Sequence, residues 1–224
     1  MDDRAGRVIG ILIDSFFPLL KAGILFTVPL TLVSFLLGIG IAFAVAIIRV
    51  LHIKPLEAAV RFYVWIIRGT PLLVQLFIIF YGLPSVGITL NAFTSAVIGF
   101  SLSVGAYGSE TIRAAILSVP KGQWEAAHAL GLSKVQTLRH IILPQAVKVA
   151  IPPIANSFIS LVKDTSLAAA ITFQELFQVA QQITARTYEP LWMYIEAALI
   201  YLLFCSALSL LQGRMENWFR KNEV

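Results

Sequence analysis

Residues Ala22 to Ile48 read AGILFTVPLTLVSFLLGIGIAFAVAII, with no charged side chain among them. A helix needs about 20 predominantly apolar residues to cross the hydrocarbon core of a bilayer, and this run is long enough. The whole chain agrees with it: 58% of the residues are hydrophobic and only 13% are charged. Soluble domains carry about 25% charged residues. At 224 residues, too little polar surface would remain to cover so apolar a soluble core. The composition therefore predicts an all-α transmembrane protein.

Working outward from that run, Arg49, His52, Lys54 and Pro55 end it. A second span is expected from about Ala58 to Tyr81, with Arg68 inside it. Gly82, Pro84, Gly87 and Asn91 then mark an uncharged turn. A third span is expected from Phe93 to Leu117. A polar loop follows, up to Lys148. The fourth span covers Val149 to Phe173 and is interrupted by Lys163-Asp164. A polar segment, Gln174 to Glu189, leads to the fifth, from Leu191 to Leu211. The expectation is about five spans in a single domain over residues 1–224.

Basic residues orient these spans. Arg49, Lys54 and Arg61 share one side with Lys121, Lys134, Arg139 and Lys148, and with Arg214, Arg220 and Lys221 of the tail. The opposite side holds the uncharged turn, a loop with Arg186, and an N-terminus carrying Arg4, Arg7 and Lys21 beside three aspartates. The positive-inside rule then places the N-terminus outside and the C-terminus in the cytoplasm. The net charge of +5 flanks apolar segments and forms no stripe, so nucleic acid is not an expected partner, whereas membrane lipid is. Cys205 is the single cysteine, so no intrachain disulfide is possible. The start, Met1-Asp2-Asp3, lacks the basic region of a secretory signal peptide. The two halves show no repeat, which argues against a secondary transporter.

Within the polar loop stands Glu125-Ala126-Ala127-His128-Ala129-Leu130-Gly131, then nine residues, then Ile141-Ile142-Leu143-Pro144. It reads as two short helices joined at Gly131. Pro120 suits an early helical position. Trp124, Ala127 and Leu130 or Gly131 recur at helical spacing and define an apolar face. Gly131 can take a positive φ and end the first helix. Ser133 with Gln136 makes a capping box for the second, whose apolar face is Val135, Leu138 and Ile142. Pro144 marks a kink or boundary before the fourth span. An elbow over about 118–144 could seat in a partner's groove; the bland alternative is a hairpin on the membrane surface.

The Glu-Ala-Ala-x3-Gly-x9-Ile-x-Leu-Pro spacing resembles the cytoplasmic coupling loop of ATP-binding cassette (ABC) importer permeases, without departure at the defining positions. Arg68-Gly69-Thr70-Pro71-Leu72, followed by Gln75, looks like the second-span signature of polar amino-acid ABC permeases. Asn156-Ser157-Phe158-Ile159 and Leu161-Val162-Lys163-Asp164-Thr165-Ser166-Leu167 look like their fourth-span signature. The nearest subgroup in pattern is the bacterial cystine-type permeases. The resemblance implies an ABC type I importer permease in the bacterial inner membrane. Its partners would be ABC ATPase subunits, an extracytoplasmic solute-binding protein, and a second permease copy or paralogue. Gln123, Trp124, Glu125, Ala126, Ala127 and Gly131 would couple it to the ATPase, and its substrate would be a polar amino acid, cystine or a relative.

The intramembrane polar residues point the same way. Arg68, Lys163 and Asp164 are ionisable groups within spans, where each charge costs about 2.5–3.5 kcal/mol at a helix centre. Gly69 and Pro71 allow a helix break beside Arg68, tolerated only where backbone lines a cavity or is buried in protein. Such a break, with Thr70, Gln75, Asn156, Thr165 and Ser166, offers donors and acceptors to a zwitterion. Two plainer readings stand beside it: Arg68 snorkels to the interface, and Lys163 and Asp164 pair structurally with neighbouring spans. Glu110 and Arg113 are spaced to pair on one helix face. Gly105 and Gly108 suit close helix packing, and Trp65, Trp192 and Trp218 suit interface or packing positions. His52, His128 and His140 show no metal-ligand spacing, and no cofactor is expected. No phosphate-binding loop or nucleophile–base arrangement is present, so ATP hydrolysis falls to another subunit. The competing function is an ATPase-independent secondary transporter or channel.

Overall fold

The computed structural model describes the backbone of residues 2–221 and the side chains of residues 4–217. The side chains of Asp2, Asp3, Trp218, Arg220 and Lys221, to which the sequence reading assigns charge or packing roles, lie outside the described residues, as does Met1. Among the described residues there is helix and no strand. A chain in hydrocarbon must satisfy its backbone hydrogen bonds internally, and the helix does so within one segment.

The chain opens with α1 (Asp2–Ala22), a π turn over Gly23–Thr27, and α2 (Val28–Val50). Next come α3 (Lys54–Gly69) and α4 (Leu72–Phe77), which widens into a π turn over Ile78–Gly82 and then tightens into a 3₁₀ turn over Leu83–Val86. The long α5 (Ala92–Ser118) leads to α6 (Lys121–Ala129), α7 (Lys134–Thr137), a π turn over Leu138–Ile142, and α8 (Leu143–Asp164). A 3₁₀ stretch (Thr165–Ile171) follows, then α9 (Leu176–Thr187) and α10 (Pro190–Lys221).

About five spans are expected. Among the described residues, three stretches, Arg4–Val50, Lys134–Ile171 and Pro190–Asn217, are long and apolar enough to cross a membrane by length and composition. A fourth exists only if α3 and Leu72–Val86, bent by 106°, count as one broken span. The bend falls where the sequence allows it: Thr70 is extended ahead of Pro71, as the residue before a proline prefers. The third expected span is helical throughout as α5, but Gly99, Ser101, Ser103, Gly105, Gly108 and Ser109 dilute its apolar content. The first segment is longer than expected. Its 47 residues would extend about 70 Å at 1.5 Å per residue, more than twice a hydrocarbon core of about 30 Å. The uncharged part, Ala22 to Ile48, is the part suited to cross.

Backbone packing divides the chain into two compact units. One comprises Met1–Ser34, Leu73–Gly99 and Ile159–Leu211. Its core is Leu19 of α1, Leu176 and Ala180 of α9, and Met193, Ala197 and Ile200 of α10. Polar bonds hold α1 in place: Ser15 Oγ donates to Glu196 at 2.5 Å, and Arg4 meets Glu189 at 3.2 Å. Glu175, fully buried, caps α9 by accepting from the Gln178 N–H at 2.7 Å, and also accepts from the Tyr201 hydroxyl at 2.5 Å. Burial pushes the Glu175 carboxyl above its ordinary value, and these donors, with Thr27, act against that rise.

The other unit comprises Phe35–Leu72, Phe100–Phe158 and Gln212–Val224. Its core joins Ala42 and Ala46 of α2, Ile112, Ala115, Ile116 and Val119, and Leu138, Ile142, Ala146 and Ala150. α2 and α5 approach through small residues. A Cβ on Gly105 would meet Ile41 Cγ2 and Tyr63 Oη, each at 2.6 Å, and one on Gly38 would meet Val104 at 2.5 Å. The expected packing role of Gly105 and Gly108 is therefore visible in the contacts.

This contrast yields a stability prediction. Gly105→Ala overpacks the α2–α5 contact and should destabilise the purified chain by about 1–3 kcal/mol. Gly40→Ala meets nothing within 4 Å and gains helix propensity, up to about 1 kcal/mol. Thermal unfolding in detergent should order the three chains as Gly40→Ala, parent, Gly105→Ala. Equal midpoints for parent and Gly105→Ala would contradict the packing described.

Candidate functional site

The loop following α5 folds as an elbow. Pro120 stands just outside α6 as its N-cap, one step before the helical position expected for it. α6 ends on Gly131, whose φ is +77°. The Gly131 N–H donates to His128 O at 2.9 Å and the Leu132 N–H to Ala127 O at 3.1 Å, the paired bonds of a Schellman ending. Ser133 then starts α7 with the expected reciprocal box: its N–H donates to Gln136 Oε1 at 2.9 Å, and the Gln136 N–H donates to Ser133 Oγ at 3.4 Å.

The elbow's apolar faces only partly match expectation. Trp124, Leu138 and Ile142 pack into the core with Ile112 and Ile116, and Ala127 is buried. Leu130 is 79% exposed and Val135 59% exposed. The tight ending at Gly131 turns the chain before Leu130 can join the face that Trp124 and Ala127 define, and α7 is too short to bury Val135 with Leu138. Pro144, expected at a kink or boundary, stands one residue into α8, where the π turn gives way to α-helix within the continuous stretch Lys134–Ile171. The π turn over Leu138–Ile142 opens the helix around His140, whose carbonyl the proline ring would otherwise crowd. Gln123 and Glu125 are exposed on α6, with Ala126 beside them. The elbow thus presents a polar and apolar outer surface on a closely packed base.

The intramembrane residues fall into separate local settings. Arg68 ends α3 half-exposed, with its guanidinium 3.7 Å from Glu110 and 5.3 Å from the Tyr107 ring centre. Glu110 also binds Arg49, and it accepts from Arg113 Nε and Nη2 at 3.1 and 2.9 Å. The expected Glu110–Arg113 pair is therefore one part of a larger cluster. Arg68 and Gly69 line a cavity of about 390 Å³ with Arg49, Arg61, Val64, Trp65 and Glu110. Thr70 donates back to Ile66 O at 2.9 Å, and Gln75 is buried on α4.

On the other motif, Lys163 and Ser166 line a cavity of about 510 Å³ with Tyr194, Tyr201 and Cys205. Asp164 is exposed beside them. Thr165 is buried and donates to Val162 O at 2.7 Å. Asn156 accepts from Gln212 Nε2 at 3.1 Å. Sequence reasoning missed Arg49 as a partner of Glu110 and Gln212 as a partner of Asn156, because both pairs join residues distant in sequence. It also missed Glu175, for which an acidic residue just before a helical run is the readable cue. No group of histidines, cysteines and carboxylates suited to a metal ion occurs among the described residues.

Comparison with known proteins adds four findings. The family described as "Binding-protein-dependent transport system inner membrane component" matches residues 34–221. The L-cystine transport system permease protein TcyB of Bacillus subtilis (strain 168) is 55% identical over 91% of this chain and 88% of its own length. The probable glutamine ABC transporter permease protein GlnM of the same organism is 38% identical over 84% of this chain and 86% of its own. Among solved structures, a crystal structure of an amino acid ABC transporter with histidines is 35% identical, covers 92% of this chain and 96% of its own, and superposes with a TM-score of 0.86.

Proposed function

Because the chain belongs to the family of binding-protein-dependent transport system inner membrane components, we propose that it forms the membrane path of an importer whose substrate is L-cystine or a closely related polar amino acid. The observation that carries the substrate is the 55% identity, over 91% of the chain, to a protein named for L-cystine transport. The chain is an amino-acid ABC permease and a translocation subunit; ATP hydrolysis belongs to a separate subunit. It works with ATPase subunits, a binding protein and a second permease chain.

The coupling role rests on the elbow of residues 118–144. Its outer residues, Gln123, Glu125 and Ala126, are exposed, whereas Trp124 packs α6 against the core that α5 and α8 share, and Ala127 is buried beside it. A push on α6 is then passed on as displacement of packed helices, since close-packed interiors transmit strain. For the path, Asp164, Lys163, Ser166 and Thr165 supply charge and hydroxyls at the end of α8, with Asn156 and Gln75 as further polar groups. Arg68-Gly69-Thr70-Pro71 supplies the helix break. The basic-residue asymmetry supports an outside N-terminus and a cytoplasmic tail.

Four measurements test this reading. In proteoliposomes holding the permease, its ATPase and binding protein, labelled L-cystine uptake should require ATP and stop with vanadate. Gly131→Val should abolish that uptake with the protein still inserted, because a β-branched residue resists φ of +77°, while Gly131→Asn should retain most of it. Vanadate-resistant uptake would indicate a secondary transporter instead. Asp164→Asn should raise the KM for L-cystine or shift selectivity toward other amino acids while ATPase binding is kept; unchanged KM and selectivity would return Asp164 to a structural role. In intact cells, an impermeant thiol reagent should label Ser85→Cys and Thr184→Cys but not Ser133→Cys, and labelling of the last would invert the topology.

A further inference from the structure

Lys54, Arg61 and Arg68 recur every seven residues along α3, two helical turns apart, and so fall on one side of it. On the same exposed surface, Phe62 and Trp65 stack with ring centres 5.8 Å apart, 61% and 69% exposed respectively. Arg61, Arg68, Trp65 and Val64 then wall the cavity of about 390 Å³ together with Arg49, Gly69 and Glu110.

The charges around this cavity do not balance. Glu110 is shared by Arg49, Arg68 and Arg113, and Glu57 pairs with Arg61. Four guanidiniums thus face two carboxylates. The approach of Arg68 to Glu110, at 3.7 Å, is an ion pair but too long for a hydrogen bond. Its donors are therefore not saturated by that carboxylate. Surplus positive charge in a membrane protein needs water or an anion. Water alone would satisfy the arginines but gives no role to the exposed aromatic pair beside them.

We propose that this cavity binds the phosphate headgroup of an anionic phospholipid, with its acyl chains lying along Phe62 and Trp65. An arginine fork matches phosphate oxygens in pairs. Basic pockets at the ends of membrane helices are suited to anionic headgroups, and tryptophan favours the depth where headgroup and chain meet. The cavity volume equals that of about a dozen liquid waters at about 30 Å³ each, enough for a phosphate and part of its glycerol. The cavity shares Arg68 and Gly69 with the helix break assigned above to the path, so the test reads lipid contact at Trp65 and not uptake.

The full-length chain in lipid nanodiscs provides the test. With Trp124, Trp192 and Trp218 replaced by Phe, Trp65 becomes the only fluorophore of its kind. Brominated phosphatidylglycerol should quench Trp65 at a mole fraction about tenfold lower than brominated phosphatidylcholine. Arg68→Gln should reduce that preference about fivefold, the effect of removing one base near a charged surface. Arg68→Lys should keep most of it, and Lys121→Gln, outside the cavity, should leave it unchanged. Circular dichroism and size exclusion confirm the fold of each variant. Should Arg68→Gln not fold, Arg61→Gln carries the same expectation, because its partner Glu57 retains His52 as a neighbour. Equal quenching by the two lipids would overturn the proposal. So would loss of the phosphatidylglycerol preference on adding inorganic phosphate at constant ionic strength, which marks a free-anion site. Protection of Trp65 from both lipids in a chain that is dimeric by mass would assign this face to a second copy, and would equally overturn it.

Discussion

Glu110 carries one negative charge and receives guanidiniums from three helices: Arg49 at the end of α2, Arg68 at the end of α3, and Arg113 one turn along α5. Each arginine borders an apolar segment, where a charge without a partner is costly. Convergence on one carboxylate lowers that cost for all three and fixes where the helices end against one another. It also sets the neighbouring packing. With α3 held at α5, Val64 packs with Val45 and Ala106, and the Tyr63 hydroxyl donates to Leu102 O at 2.7 Å. Gly105 is then needed because a larger residue would occupy the space of Tyr63 and Ile41.

The elbow is built on the same unit. Ala42 and Ala46 of α2, Ile112 and Ile116 of α5, and Leu138 and Ile142 form one core, against which Trp124 of α6 is set. The short α6 therefore has little freedom to move alone. α6 has only nine residues, a length at which an isolated helix is marginal. Its stability comes from the Schellman ending, the following capping box, and this core.

Local signals were legible in the sequence. The Ser133–Gln136 box, the positive φ of Gly131 and the break at Thr70–Pro71 each depend on a few adjacent residues, and each is found where expected. The apolar runs located the helices, though by length and composition alone only three or four of the described stretches qualify as spans. In α5 the small residues that permit close packing with α2 are the ones that reduce its apolar content. α1 was hidden for the opposite reason: Arg4, Arg7, Asp14 and Lys21 break the apolar run, while Val8, Ser15 and Leu19 bury one face. The partners of Arg68 and Asn156 were not legible, because Glu110 and Gln212 lie far along the chain and no local period links them.

The misread apolar face of the elbow is informative in its own right. Periodicity alone would bury Leu130 and Val135 with Trp124 and Leu138, yet both project outward. A single exposed leucine is ordinary. Here two apolar side chains flank the turn at Gly131 and share the outer surface with Gln123 and Glu125. An apolar centre within a polar rim is the anatomy of a protein interface. The residues that failed to join the core are thus the ones on which the proposed docking of a partner depends. The helical period in this loop is split between two surfaces, an inner one that packs into the core and an outer one left exposed.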